Sequence, residues 1–216
     1  MPTPDEICII DYGMGNIQSV KNAIHKLGFC AQIISDGDEI SDPKGVILPG
    51  VGSFAEGMKG LERRGFRDQL DELVIEGDVA YLGVCLGMQF VAEGSEESDE
   101  AQGLGWFDAM AVGLDVENEG IRVPHMGWND VEFDESEEMI LFGGLSPPTT
   151  CYFAHSFYLR ANDMPGDMSF ATTWYGEPLV AALQWKNIFG VQFHPEKSGR
   201  GGLKILDNFL RFALAR

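Results

Sequence analysis

Cys85 lies between two glycines at the end of an apolar run, in Tyr81-Leu82-Gly83-Val84-Cys85-Leu86-Gly87-Met88-Gln89. A nucleophile held between a strand and a helix needs a sharp turn, and glycines two residues before and after it relieve the crowding. Gly83-Val84-Cys85-Leu86-Gly87 is therefore a thiol counterpart of the G-x-S-x-G elbow. Its turn is expected to expose the sulfur, with the N–H groups of a helix starting near Leu86 pointing at it. A free thiol titrates near pH ~8.5, and such a setting favours the reactive thiolate. A lone cysteine is as readily a small core residue, so chemistry requires partners elsewhere.

Gln192-Phe193-His194-Pro195-Glu196 offers them. In an extended segment side chains two apart point the same way, which sets His194 and Glu196 side by side as a base and its orienting acid. Pro195 has no N–H and ends the strand's pairing. Separately, these are an ordinary core histidine and an ordinary turn acid. With the elbow cysteine upstream they complete a nucleophile, base and orienter.

Two more glycine clusters follow strand-like runs. Asp11-Tyr12-Gly13-Met14-Gly15-Asn16 resembles the start of a dinucleotide fingerprint, but Gln18 stands where its third glycine belongs, so a Rossmann cofactor site is rejected. Leu48-Pro49-Gly50-Val51-Gly52-Ser53-Phe54 lacks the Lys-Ser/Thr of a phosphate loop. Its backbone N–H groups suit an oxyanion instead.

The elements that must position these residues alternate. Residues 7–13, 31–35, 45–50 and 79–85 read as buried strands, and 16–28 and 54–77 as helices, the second broken near Gly65. That order predicts an α/β fold with a mostly parallel central sheet, helices on both faces and ligands at the carboxyl ends of the strands. Residues 95–103 read as an acidic loop. Beyond them, 151–160, 169–176, 179–186 and 188–194 read as strands, partly antiparallel, with a tight turn at Lys186-Asn187. A last helix presents a wide apolar face with Leu203, Leu206, Leu210 and Leu214.

The chain has 216 residues, 44% of them hydrophobic, which fits one domain over 1–216. Thirty-four acidic residues against 15 basic give a net charge of −19, which disfavours nucleic acid and anionic membrane surfaces as partners. The four cysteines (Cys8, Cys30, Cys85, Cys151) show no zinc spacing and fit a reduced, cytoplasmic protein. The first residues lack the basic region of a secretory leader, and the longest apolar run, Val79 to Ala92, is short of a membrane span.

Taken together, Gly83 to Gln89 and His194-Pro195-Glu196 resemble the class I (triad) glutamine amidotransferases. The segments at 10–16, 47–54, 123–129, 152–158 and 190–199 make the chain similar to the glutaminase subunit family of imidazole glycerol phosphate synthase. The likeness runs from about Ile7 to Phe209 and implies the flavodoxin-like fold of class I amidotransferases with an antiparallel C-terminal extension. It further implies that Cys85 attacks glutamine, His194 moves the proton and Glu196 holds the imidazole. Leu86 N–H and Val51 N–H would form the oxyanion hole. Gly50, Gly52, Gly87, Gln89, His155, Ser156 and Phe157 fall at family positions that hold the substrate, and Asn16 and Lys197 at positions near the partner. No cofactor and no metal are implied.

Ammonia released into water is protonated, so a glutaminase must deliver it directly to an acceptor site, and this chain has no room for a second one. The resemblance implies a (β/α)8 barrel cyclase as heterodimer partner, serving histidine and purine synthesis. The rivals are a paralogous glutaminase feeding another synthase, as in surface-sugar amidation, and a thiol hydrolase of the dienelactone-hydrolase type. The hydrolase shares the elbow but gives no reason for Pro49-Gly50-Val51-Gly52. A non-catalytic binding module would not need all three triad members.

Overall fold

The computed structural model describes residues 6–115, 121–135 and 139–216. The first half runs β1 (Ile7–Ile10), α1 (Ile17–Lys26), β2 (Gln32–Ile34), β3 (Gly45–Gly50), α2 (Phe54–Arg63), α3 (Phe66–Leu70), β4 (Ala80–Cys85) and α4 (Leu86–Gln89). The second half adds β5 (Ala92–Ser95), β6 (Ser98–Gln102), β7 (Phe107–Gly113), β8 (His125–Val131), β9 (Thr149–His155) and β10 (Phe157–Leu159). It ends with β11 (Ser169–Tyr175), β12 (Glu177–Trp185), β13 (Ile188–Val191) and α5 (Gly199–Leu214).

Seven strands form the central sheet in the order β11-β12-β13-β4-β3-β1-β2. From β13 to β2 every neighbour is parallel, and β12 and β11 extend the sheet in antiparallel pairing. Every residue of β1, β3, β4 and β13 is buried, which is why these strands read as unbroken apolar runs rather than as alternation. Side chains nonetheless alternate between two cores. Ile7, Ile9 and Ile47 pack with Ile24, Leu206 and Phe209 under α1 and α5. On the other face Cys8, Ile10, Val46 and Leu48 pack with Met58, Leu61, Phe66 and Leu70 under α2 and α3. Each such large side chain contributes about 1.5–3 kcal/mol on burial. The expected parallel sheet with helices on both faces and an antiparallel extension is what is found.

Gly65 breaks the 54–77 helix as expected, at φ 69°, and the stretch from Asp71 to Glu76 closes in π geometry. Lys186 and Asn187 form the two-residue turn between β12 and β13, with Lys186 at φ 54°.

Two expectations need correction. Residues 95–103 are not a loop. They end β5, turn, and return as β6, the edge of a second sheet ordered β10-β7-β5-β6. Edge strands tolerate charge, and Asp99 and Glu100 are exposed there, so acidity conceals the strand. Residues 151–160 are not one strand either. The run splits at Ser156, β9 pairing with β8 and β10 with β7 in a different sheet, and its apolar pattern continues across the split without a break.

The glycines flanking Cys85 are explained by close backbone approach. A methyl group on Gly87 would collide with the Leu48 carbonyl oxygen, and one on Gly83 would lie 2.5 Å from the Gly87 carbonyl oxygen. Gly87→Ala should therefore lower the melting temperature by roughly 5–10 °C, the scale of an overpacked core. Gly166→Ala, which meets open space, should leave it unchanged. Thermal unfolding of the two variants by circular dichroism checks the contrast.

Candidate active site

The carboxyl end of β4 runs directly into α4, and the chain turns at Cys85 with φ 55° and ψ −109°. That region is sparsely populated by side-chain-bearing residues and persists only where surroundings impose it. Pairing of β3 with β4 continues to Gly50 opposite Cys85, and the Tyr81 hydroxyl donates to the Gly87 carbonyl at 2.8 Å. The sulfur is not exposed as the elbow pattern suggested. Cys85 is only 4% accessible and forms part of the lining of a cleft of about 290 Å³. The following helix is four residues long, so only its first N–H groups face the turn, without the field of a long helix.

His194 follows the end of β13, and its backbone is clamped to β9. Its N–H donates to the Tyr152 carbonyl at 2.9 Å. The Ser198 hydroxyl donates to the His194 carbonyl at 2.6 Å and accepts from the Tyr152 N–H at 2.9 Å. Pairing in β13 stops at Val191, and Pro195–Lys197 is a 3-10 turn, so extended-strand alternation is not what aligns the base with the acid. The turn does so instead, bringing His194 Nδ1 to 3.1 Å from Glu196 Oε1 with both side chains buried. Nδ1–H donates to the carboxylate, which leaves Nε2 as the ring nitrogen that can accept a proton. Burial alone would lower this imidazole, but hydrogen bonds to Cys85 and Glu196 outweigh it and push it up to about 9.

Of the residues singled out in the sequence, Val51, Gly52, Leu86, Gln89, His155, Ser156 and Phe157 line the cleft with Cys85. Gly50 and Gly87 stand behind its wall. The position a Gly50 side chain would take is filled by the Tyr12 hydroxyl, at 2.5 Å. Asn16 lies outside the cleft at the start of α1, and Lys197 is exposed with its ammonium 5.9 Å from the Tyr152 ring centre.

Four lining residues were missed, among them Ala154, whose carbonyl lies 3.8 Å from Cys85 Sγ. Glu97 reaches the cleft from the turn between β5 and β6 and accepts from the Phe54 N–H at 2.6 Å. Its acidic surroundings in the sequence gave no means to single it out. Pro124 and Met126 come from the start of β8, where the segment at 123–129 served only as a mark of family likeness.

Behind His155 lies a second buried imidazole. The Phe157 carbonyl must accept from His155 Nδ1 (3.0 Å), so His155 Nε2 accepts from His125 Nδ1 (2.9 Å), and Asn129 donates to His125 Nε2 (3.3 Å). Only neutral rings satisfy this chain. Burial lowers His125 to about 4 and, together with the neighbouring His125, lowers His155 to about 3. His125 is stacked between Phe153 and Tyr175, with ring centres 4.7 and 3.9 Å away.

The family model described as Glutamine amidotransferase class-I matches residues 8–212. The chain belongs to the class I glutamine amidotransferases. This amidotransferase is 43% identical over 203 residues to the imidazole glycerol phosphate synthase subunit HisH of Moorella thermoacetica, covering 94% of this chain and 93% of that protein. It is 42% identical over 207 residues to subunit HisH 2 of Methanococcus maripaludis, covering 96% and 100%. A crystal structure of a glutamine amidotransferase matches with a TM-score of 0.75 at 21% identity, over 96% of this chain and 98% of that one, which bears on the fold alone.

The neutral histidine pair gives the amidotransferase an acid-sensitive feature. Both folded values lie below the ordinary histidine range, so between about pH 6.5 and 4 the unfolded chain binds more protons and stability falls as pH drops. Carboxylates add their own slope, so the readout is a difference. The melting temperature of His125→Gln should fall less steeply with acid across this window than that of the wild type, and equal slopes would contradict a neutral pair.

Proposed function

We propose that this amidotransferase is the glutaminase subunit of an imidazole glycerol phosphate synthase, and that Cys85, His194 and Glu196 are its catalytic triad. The observation that carries the reading is the buried Cys85 in the lining of the cleft, hydrogen-bonded to a His194 that Glu196 holds, in a chain similar to HisH subunits over nearly its whole length.

Cys85 gives its proton to His194 Nε2, and the sulfur attacks the side-chain amide carbon of glutamine. The oxygen becomes negative and is met by the N–H groups of Leu86 and Val51, each such donor being worth about 10²–10³ in rate. The tetrahedral adduct collapses as His194 returns the proton to nitrogen, so ammonia leaves and a γ-glutamyl thioester remains. Water, deprotonated by His194, then cleaves the thioester to glutamate and free thiol. An imidazole raised to about 9 holds its proton at neutral pH, ready for the departing nitrogen.

Gln89, His155, Ser156 and Phe157 hold the amino-acid end of glutamine, and the carboxylate of Glu97 suits its α-ammonium. Gly50, Gly52 and Gly87 let the backbone approach closely. The ammonia passes to a (β/α)8 barrel cyclase. Met126, which lines the cleft, is 65% exposed, and Trp128 on the same strand is 59% exposed. Neighbouring exposed apolar side chains at a cleft fit a covering partner, with Asn16 and Lys197 sensing it.

The test is to mix the chain with a histidine-pathway cyclase barrel and its ribotide substrate and measure glutamate and imidazole glycerol phosphate together. Glutamate without the cyclised product would point to another acceptor. A glutamine-like chloroketone should add once, at Cys85, and labelling that persists in Cys85→Ala would sink the triad. His194→Ala should lose about 10²–10⁴-fold in turnover, and Glu196→Gln less, because it removes an orienting group rather than the base.

Gly50 and Gly52 flank Val51, so the Gly50–Val51 peptide can turn between presenting its carbonyl and presenting its N–H. In this reading Val51 N–H faces inward only in the liganded complex. Glutamine hydrolysis should rise from the lone chain to the complex and again when ribotide is added; equal rates in all three would exclude such a switch.

A further inference from the structure

The Gln192 side chain is fully buried against Cys85. Its Nε2 lies 3.7 Å from Cys85 Sγ, within hydrogen-bond reach for sulfur. The orientation of this amide follows from its neighbours. The Phe157 carbonyl can only accept, so the Gln89 atom 2.8 Å from it is Nε2. That same Nε2 lies 3.1 Å from Gln192, which must therefore turn its Oε1 to Gln89 and its NH2 to the sulfur. The Gln192 backbone is pinned as well, its N–H donating to the Ala181 carbonyl at 2.8 Å. Besides His194, the Ala154 carbonyl lies 3.8 Å from the sulfur; it can accept from the thiol but offers the thiolate nothing.

We propose that Gln192 is a further catalytic residue, a fixed amide donor that supports the Cys85 thiolate, aimed at it by the glutamine-binding residue Gln89. This rests on Cys85 being the nucleophile. When Cys85 passes its proton to His194, the Ala154 carbonyl loses its donor and Gln192 Nε2–H becomes the neutral hydrogen bond that remains on the sulfur. No proton leaves Gln192. Hydrogen bonds to charged groups are about twice as strong as neutral ones, so the contact favours the thiolate over the thiol. It also links substrate to nucleophile, since a Gln89 turned away from Gln192 would release the amide that faces the sulfur.

The test separates this role from mere support of Gln89. Gln192→Glu keeps an acceptor for Gln89 but takes away the donor, whereas Gln192→Leu removes both. Iodoacetamide alkylation is followed on the Cys85 peptide by mass spectrometry, because Cys30 is exposed and also reacts. Both variants should alkylate Cys85 about tenfold more slowly at neutral pH, with the pH profile moved to higher pH and melting temperatures showing folded protein. Gln192→Glu alkylating at the wild-type rate overturns the proposal and leaves Gln192 as a prop for Gln89. In the unmutated protein the Gln192 side-chain amide resonances should shift as the thiolate forms and stay fixed in Cys85→Ser, a readout that survives even if both variants misfold; an amide that does not respond also overturns it. If Cys85→Ser still hydrolysed glutamine, it is the nucleophile assignment that would fail, whatever Gln192 does to the alkylation.

Discussion

Two strands and a helix meet in this fold with no room between them, and everything at the site depends on that contact. Gly87 packs directly on the Leu48 carbonyl, and Gly83 packs on Gly87. β4 can therefore neither drift from β3 nor relax at its end, and the strain appears at Cys85 as a positive φ. A residue in that region costs on the order of 1–3 kcal/mol, and the buried strands around it supply the stabilisation that offsets the cost. The same closeness puts the Gly50 end of β3 opposite Cys85, so the loop carrying Val51 is placed by the packing that bends the elbow.

The polar groups behind the elbow follow a similar economy of space. Among the described residues, two buried side-chain polar atoms lack a hydrogen-bond partner, Glu196 Oε2 and the Tyr12 hydroxyl. Both belong to the site, one on Glu196 and the other against Gly50. Unpaired buried polar atoms are rare in native proteins and usually mark strain or function. With Oε2 unpaired, Glu196 contacts His194 through a single oxygen, which orients the ring without a competing donor. Burial keeps that contact unscreened, and together with the hydrogen bond to Cys85 it raises His194 although burial alone would lower it.

The sheet was legible in the sequence because its strands are buried on both faces and its glycines have steric reasons. Cys85, His194 and Glu196 stood out in the sequence because their residue types and spacing are distinctive. Glu97 did not, because a carboxylate in the turn before a charged edge strand looks like its neighbours until the hairpin directs it toward the cleft. The division of 151–160 between two sheets was hidden too, for alternation reports a face and not a partner. Pairing of His194 with Glu196 was foreseen on the wrong ground: strand alternation and a 3-10 turn both bring residues two apart together here, and the sequence cannot tell them apart. His125 and Gln192 escaped notice because their importance is relational. Each matters through the atom it faces, and that atom belongs to a residue far away in the chain.

The Phe157 carbonyl shows what such relations add. It accepts from His155 on one side and from Gln89 on the other, two donors for its two lone pairs. The histidine arm runs outward through His125 to Asn129, which also donates to the Trp174 carbonyl on β11. The amide arm runs inward through Gln192 to Cys85. One carbonyl thus joins the outer strands to Cys85, and it does so in the short segment where the chain leaves β9 for β10. A strand continuing straight through Ser156 would carry Phe157 past the start of β8 and leave both arms without their common acceptor. The break that sequence pattern fails to show is therefore what the site requires: the chain changes sheets there, and the carbonyl it exposes in doing so holds the cleft wall and the sulfur's donor in one hydrogen-bonded network.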